Sequence, residues 1–265
     1  MFDTVDLSIQ QFVGAWHLMC TSAPGHSRAS APGVEYIFGG VPIPFFNVAI
    51  LTGRGVSGPS LRQLGQEVCD WAAPTGLPYL LILTHEALEP GVDAGAELAA
   101  SGLVPLMPLT GMLAGRVDPS TMTPAGLEFT VPADDASCAA LLDINAAAYG
   151  IPLDSAKPLM GKSAFWSDKV VVLGTAGGRP VASTAVFAVD GYRYVALVAT
   201  QPGEQRKGYA DAVMRCALAE SVKRFGDSPT VLHATDAGRP VYERMGYARL
   251  ASHTAYIEQK FLDGQ

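Results

Sequence analysis

Three β-rich segments separated by tight turns constrain the fold of this chain more than any other feature. They cover residues 169–173, 180–189 and 192–200, and Asp190-Gly191 lies between the second and the third. An Asp-Gly pair between two β-rich segments is the strongest short-range signal of a β-hairpin. The sequence therefore predicts three antiparallel strands in this region.

The hydrophobic period changes after the third strand. Residues 208–224 carry apolar side chains at helical spacing, and Gly246 stands where the C-terminus of a later helix needs a left-handed residue. Helices and strands arranged in this way predict an α/β layer with a mixed sheet. The other predicted elements of this half are a strand at 127–131, a helix at 135–149, a strand at 230–234, a helix N-capped by Asp236 and a last strand at 248–257.

The length of the chain allows two compact domains or one large one, and a linker signal favours two. Its 265 residues are nearly twice the ~150 of a common domain, and a composition of 49% apolar and 16% charged residues supplies a sizeable core. Pro, Ser, Thr and Gly cluster at 117–126 without apolar periodicity, so we expect a linker there. The expected domains are residues 1–116 and 127–265.

A basic, glycine-bearing segment joins the third β-rich segment to the long helix. It contains Gln205, Arg206, Lys207 and Gly208 after a Pro-Gly turn. The N–H groups in the first turn of a helix lack intrahelical partners and point outward with the positive end of the dipole, which favours a bound phosphate. Gly208 lets a ligand approach the backbone closely, and Arg206 and Lys207 supply positive charge. The segment is therefore predicted to bind a pyrophosphate.

Two motifs at this spacing resemble the GCN5-related N-acetyltransferases, the GNAT family. The pattern Q-x-x-G-x-A at 205–210 fits that family's Q/R-x-x-G-x-G/A loop, and Y-x-x-x-G-Y at 242–247 looks like its second conserved block. The resemblance covers about residues 127–259. It implies a transferase that uses acetyl-CoA as cosubstrate and acetylates an amine by direct attack on the thioester.

The resemblance also implies roles for individual residues. Tyr242 matches the family's general acid, which returns a proton to the departing CoA thiolate, and a phenol of pKa ~10 lies close enough to a thiol of pKa ~8.5 for this transfer. Pantetheine would run along residues 198–200, and the pyrophosphate would lie on the amides of residues 206–211. Thr235 falls where many members have an asparagine that contacts the cofactor. The cofactor-binding residues so implied are Val198, Ala199, Thr200, Gln205, Arg206, Lys207, Gly208, Tyr209, Ala210, Asp211 and Thr235.

The general base is left open. Thr230 aligns near a position where some members carry a catalytic glutamate, and a threonine cannot serve as that base. His233 has suitable chemistry because an unperturbed imidazole has a pKa of ~6.5, but a lone histidine in a strand is more often a core residue. A relayed water or an already neutral amine would need no dedicated side chain.

The first 116 residues show a similar order of elements without the phosphate loop. Residues 53–59 replace the loop and lack its pattern, and Leu98 falls at the position of the general acid if Gly102 is laid on Gly246. We interpret this half as a degenerate GNAT-like domain; the alternative is an unrelated α/β domain. We expect it to line the acceptor cleft, which leaves one active site per chain. The predicted fold is two tandem GNAT-like α/β domains, each a mixed, mostly antiparallel sheet flanked by helices. The predicted elements of this half are strands at 33–38, 45–51, 78–84 and 102–106 and helices at 60–71 and 93–101.

Charge and cysteine usage argue against several classes of protein. The 18 basic and 25 acidic side chains give a net charge of −7, so we expect no nucleic-acid or membrane partner. Four scattered cysteines without a C-x-x-C pair, and five histidines without metal-ligand spacing, predict neither disulfides nor a metal site. An acidic N-terminus without a long apolar run predicts a cytoplasmic protein.

The two halves differ in charge. Residues 1–120 hold 4 basic and 10 acidic side chains, net −6, whereas residues 121–265 hold 14 and 15, net −1. This asymmetry favours a cationic small-molecule or peptide amine as the acceptor. The alternatives are a non-catalytic acyl-CoA-binding or sensing protein and a transferase for longer acyl groups. The sequence does not predict the oligomeric state.

Overall fold

The computed structural model describes residues 3–118, 122–132 and 134–262. Within these ranges helices and strands alternate, and the helices flank a mixed sheet, which confirms the predicted α/β class. The linker predicted at 117–126 lies partly outside the described residues.

The elements follow one another along the chain in two runs. The first run holds α1 (Thr4–Cys20), β1 (Ser27–Ala31), β2 (Val34–Phe38), β3 (Asn47–Leu51), α2 (Gly58–Ala72), β4 (Leu80–Thr84), α3 (Ala94–Ala99) and β5 (Leu103–Ala114). The second run holds β6 (Leu127–Thr130), α4 (Asp135–Tyr149), α5 (Leu153–Met160), α6 (Ser163–Trp166), β7 (Val170–Ala176), β8 (Arg179–Val189), β9 (Tyr192–Thr200), α7 (Tyr209–Phe225), β10 (Thr230–Thr235), α8 (Arg239–Arg244) and β11 (Ala248–Glu258).

The chain forms two compact units that are not two continuous halves. The first unit comprises the described residues up to Met112, residues 233–239 and those from Arg249 onward; the second comprises the described residues of 113–232 and 240–248. The domains predicted from the sequence are instead two continuous segments, residues 1–116 and 127–265. That residues 127–265 act together as the catalytic domain stays a prediction.

In the first unit, neighbouring strands pair in the order β1-β2-β3-β4-β11. The β3–β4 pair is parallel, and the other three pairs are antiparallel. Leu81 lies opposite Tyr256, so β11, from the C-terminal part of the described chain, extends this sheet, and β5 is its next neighbour. Helix α2 buries Leu61, Leu64 and Val68 in the core of the unit. The first unit therefore needs the C-terminal segment to close its core.

The sequence did not predict helix α1. Asp3 caps this helix, since its carboxylate accepts a hydrogen bond of 2.9 Å from the N–H of Val5. The buried residues of α1 include the polar Ser8 and Gln11 beside Phe12. Polar residues at buried positions interrupt the apolar stripe by which a helix is recognised in a sequence.

In the second unit, the strands β6, β7, β8 and β9 pair in sequence order as antiparallel neighbours. Asp190 and Gly191 have φ of 46° and 82°, the two positive values that a type I′ hairpin turn requires. The three antiparallel strands predicted from the sequence are thereby confirmed. Strand β10 joins the other edge of β9 in parallel.

Helix α8 begins at Arg239, so the predicted N-cap at Asp236 is wrong. A turn precedes the helix, in which the hydroxyl of Thr235 accepts a hydrogen bond of 3.4 Å from the N–H of Gly238. This turn delays the helix by about three residues. The predicted left-handed glycine after the helix is confirmed, because Gly246 has φ of 92°.

Arg193 fixes the start of β9. Its side chain is only 5% exposed, and its guanidinium donates to the carbonyls of Leu218 and Ser228, to the hydroxyl of Ser221 and to the carboxylate of Asp227, over 2.7–3.2 Å. The planar fork of arginine suits several acceptors at once. One side chain thus ties β9 to the end of α7 and to the loop before β10.

We expect Arg193→Met to destabilise the protein by about 2–4 kcal/mol, because the Ser228 carbonyl loses both of its guanidinium donors and the Leu218 carbonyl loses one of its two side-chain donors. Arg179→Met is the control, since that side chain is 77% exposed, and its effect should stay within about 0.5 kcal/mol. Urea unfolding of the two variants and the wild type measures this difference. Equal unfolding midpoints for the two variants would contradict it.

Candidate active site

Strand β9 loses a neighbour partway along its length. Its parallel ladder with β10 pairs Arg193 with Thr230 and Tyr194 with Val231. In the described part of the chain this ladder does not continue along residues 195–200. Alternate residues of a strand direct their N–H and C=O groups to the same edge, so this stretch keeps backbone groups available to another partner.

A β-bulge lies in the same stretch of β9. Ser183 of β8 faces Ala199 and Ala185 faces Ala196, so Leu197 and Val198 together oppose one residue of β8. Leu197 has φ of 53°, an uncommon value for a residue with a side chain. Bulges are frequent next to active sites because they redirect backbone groups. The predicted pantetheine-binding residues 198–200 begin at this bulge.

The predicted phosphate loop runs from β9 into α7. Gly208, with φ of 81°, precedes the first helical residue, and the N–H of Ala212 donates to the Gly208 carbonyl at 3.1 Å. The N–H groups of Tyr209, Ala210 and Asp211 therefore lie in the first turn, where a helix offers them no acceptor. The structure places these residues, with Gln205, Arg206 and Lys207 just before them, at the positive end of a 17-residue helix.

One acid lies among the cations beside the loop. The carboxylate of Glu204 contacts the ammonium of Lys207 at 2.6 Å and the guanidinium of Arg179 at 3.4 Å. The hydrogen bond from Lys207 lowers the pKa of Glu204, and the same bond raises the pKa of Lys207. Asp211, also predicted to bind the cofactor, pairs with Arg215 at 2.9 Å. A phosphate at this loop would compete with Glu204 for Lys207.

Tyr242 lies on α8 within a group of tyrosines of the second unit. Burial raises its pKa to about 12, so the phenol keeps its proton at neutral pH. Its ring centroid is 6.1 Å from that of Tyr247. Burial also raises the pKa values of Tyr149 and Tyr194, and the charge of Tyr242 adds to both shifts. A protonated phenol is the state that a general acid needs.

Tyr149 and Tyr194 were missed in the sequence. Tyr149 is the last residue of α4, and its hydroxyl donates to the carbonyl of Val198 at 3.1 Å. Neither residue belongs to a motif, and each reaches the group only through the packing of α4 and β9. Sequence periodicity assigns Tyr149 to the end of a helix and gives no further signal.

The structure shows the surroundings of Thr230 and His233, the two residues considered for the position of the general base. Thr230 is 1% exposed, and its hydroxyl donates to the Tyr247 oxygen at 2.7 Å, so it serves the packing of the second unit. His233 belongs to the first unit, where burial holds its pKa well below 6.5. Thr235 also belongs to the first unit, and its contact with the cofactor stays a prediction.

His233 is part of a buried polar chain in the first unit. The hydroxyl of Ser8 lies 3.1 Å from Nε2 of His233 and 2.9 Å from Nε2 of His253, whose Nδ1 is 3.0 Å from the hydroxyl of Thr84. A Cβ on Gly111 would lie 2.0 Å from the Ser8 oxygen, so glycine is required there. Burial, together with the charges of His85 and Arg249, lowers the pKa of His253 to about 3.

The protein should therefore lose stability in mild acid. His233 and His253 take up protons more weakly when folded, so their contribution is complete above pH ~6.5 and is lost as the pH falls towards the folded pKa, by up to about 1.4 kcal/mol per pH unit for each histidine. Urea unfolding between pH 7 and pH 4 measures the slope. His253→Gln should flatten it, and a wild-type stability independent of pH over this range would refute the account.

Comparisons with known proteins agree with this geometry. Residues 162–258 match the family model described as acetyltransferase (GNAT) domain. No curated protein sequence matches the chain. Among the described residues, no helix is long and apolar enough to cross a membrane, and no group of three or more His, Cys, Asp or Glu side chains is arranged to hold a metal ion.

Solved structures share the fold over nearly the whole chain. A GCN5-related N-acetyltransferase from Kribbella flavida is 20% identical with a TM-score of 0.70, and the match covers 97% of this chain and 96% of that one. A GCN5-related N-acetyltransferase-like protein from Streptococcus suis is 12% identical, with a TM-score of 0.58 and coverages of 95% and 97%. A tandem GNAT protein from the clavulanic acid biosynthesis pathway is also 12% identical, with a TM-score of 0.57 and coverages of 95% and 94%. At these identities the matches establish the fold alone.

Proposed function

We propose that the chain transfers an acetyl group from acetyl-CoA to an amine, because residues 162–258 match the family model of acetyltransferase (GNAT) domains. The observation that carries the proposal is the continuity between the bulged end of β9, whose ladder with β10 has stopped, and the glycine turn that opens α7. An extended ligand with amides at one end and phosphates at the other matches these two sets of backbone groups. Acetyl-CoA has this composition.

The backbone supplies most of the binding. The pyrophosphate would lie on the N–H groups of residues 206–211, at the positive end of α7. The amides of pantetheine would bond the free edge of residues 198–200. Gly208 permits close approach of the phosphates, since it carries no side chain and has φ of 81°. This arrangement leaves the thioester beside the bulge of β9.

Catalysis would rest on positioning and on one proton donor. A backbone N–H at the bulge polarises the thioester carbonyl, and the amine attacks that carbon directly. A C–N bond forms and the C–S bond breaks. The amine enters in its neutral form, and its nitrogen loses one proton to water after the attack. Tyr242 donates its proton to the leaving thiolate and regains a proton from water. The acidic first half of the chain favours an amine that is cationic in solution.

A non-catalytic acyl-CoA-binding protein is the second candidate. It is favoured by the placement of Thr230 and His233. The hydroxyl of Thr230 is not a base and is bonded to Tyr247, and burial keeps the pKa of His233 well below its usual value. Incubation of the protein with acetyl-CoA and a panel of cationic, neutral and anionic amines separates the two candidates. Release of CoA thiol with an acetylated amine supports the transferase. Binding of acetyl-CoA without turnover on any amine supports the sensor, and turnover only with longer acyl-CoA thioesters would correct the acyl group.

Tyr242→Phe should lower kcat by about a hundredfold, because the leaving thiolate loses its proton donor. The Kd for acetyl-CoA should change little, since the ring remains and the phosphate loop is untouched. Tyr192→Phe is the matched control, since Tyr192 begins β9 and residues 198–200, which are proposed to bind pantetheine, end it. An unchanged kcat in Tyr242→Phe would remove the role of general acid.

Glu204→Gln should strengthen acetyl-CoA binding about two- to fivefold at low salt, because Lys207 is then released from its competing carboxylate. High salt should abolish the gain by screening the exposed charges. Glu220→Gln is the control, since Glu220 pairs with Lys223 at 2.7 Å in the same i,i+3 spacing on α7. Calorimetric titration of the three proteins decides, and weaker binding by Glu204→Gln would contradict the competition.

A further inference from the structure

We propose that Tyr149 is a positioning residue for the transfer reaction, acting by holding the bulge of β9 through its hydrogen bond to the Val198 carbonyl. The inference rests on the proposed function, because it assigns the bulge to the thioester. It concerns how one backbone conformation is kept in place. Tyr149 itself need not contact the reacting atoms.

The bulge needs an external hydrogen-bond donor. Leu197 and Val198 have no register partners on β8, since the ladder passes from Ala199 directly to Ala196. A carbonyl that has left its ladder must find another donor. The Tyr149 hydroxyl is that donor for Val198, at 3.1 Å. This bond also ties down the residue next to Leu197, whose φ of 53° is unfavourable for a side-chain-bearing residue.

Helix α4 holds the Tyr149 ring in a fixed place. Gly150 ends the helix with φ of 64°, and the N–H groups of Gly150 and Ile151 both donate to the Ala146 carbonyl. One turn earlier, the buried Asn145 donates to the hydroxyl of Ser183 on β8 at 3.2 Å. Ser183 is the residue that faces Ala199 beside the bulge. Two hydrogen bonds one helical turn apart therefore attach α4 to both strands that form the bulge.

The Tyr149 hydroxyl stays a donor across the working pH range. Burial and the nearby charge of Tyr242 raise its pKa far above neutral. The residue as a whole is 44% exposed. Removing the hydroxyl alone should leave the packing of the ring intact.

The test uses Tyr149→Phe, with Tyr192→Phe at the start of β9, the strand that carries the bulge, as the matched control. Hydrogen exchange of peptides covering residues 195–200 should become about tenfold faster in Tyr149→Phe, while the unfolding midpoint stays unchanged. The kcat for the best amine of the panel should fall about three- to tenfold, the loss expected for one hydrogen bond, with the KM for acetyl-CoA within about twofold of the wild type. The control should match the wild type in all three.

The outcomes separate this inference from the proposed function. If exchange at residues 195–200 is unchanged, Tyr149 does not hold the bulge, whatever the enzyme does. If exchange rises and kcat stays at the wild-type value, Tyr149 holds the bulge without positioning the reaction, and the inference is overturned. If the wild-type protein acetylates no amine, the proposed function fails, and the positioning role fails with it even where exchange rises.

Discussion

The candidate site depends on one constraint: every backbone N–H and C=O group needs a partner, and β9 loses its β10 partner well before it ends, while its pairing with β8 continues to Thr200 apart from the bulge. Its ladder with β10 reaches Tyr194, and its ladder with β8 is broken at Leu197 and Val198. Helix α7 adds a first turn whose N–H groups lack intrahelical acceptors. In most proteins water or side chains satisfy such groups. Here they follow one another along the chain, as the proposed binding of acetyl-CoA along β9 and the start of α7 requires.

Side chains determine where the backbone groups of β9 lose their strand partners and which conformation the bulge adopts. Arg193 holds the start of β9 against the end of α7 and the loop before β10, and so sets the point from which the parallel ladder extends. Tyr149 and Asn145 of helix α4 donate hydrogen bonds to the two strands that form the bulge. Glu204 occupies the cations that an incoming phosphate would use. The site therefore combines a rigid backbone with exposed charges that can be exchanged.

Much of the second unit could be predicted because its signals are local. The Asp190-Gly191 turn and the change of hydrophobic period at Gly208 are short-range features, and the strands and helices they predict agree with the structure. A motif in the sequence points to Tyr242, whose role stays a prediction. No motif points to Tyr149, since its contact with β9 is a hydrogen bond to a residue 49 positions away. The pairing of Lys207 with Glu204 was also missed, because neither sequence pattern nor net charge says which rotamer a lysine adopts.

The first unit was harder to predict because its contacts also join residues that are far apart in the sequence. Its helix α1 buries Ser8 among histidines from distant strands, and β11 pairs with β4 across more than half of the chain.

The most direct test of the whole account is a crystal structure of the protein with CoA bound. The account predicts the pyrophosphate on the amides of residues 206–211 and pantetheine along residues 198–200, with its sulfur towards Tyr242. CoA bound away from this loop, or with its pantetheine directed away from β9, would contradict it.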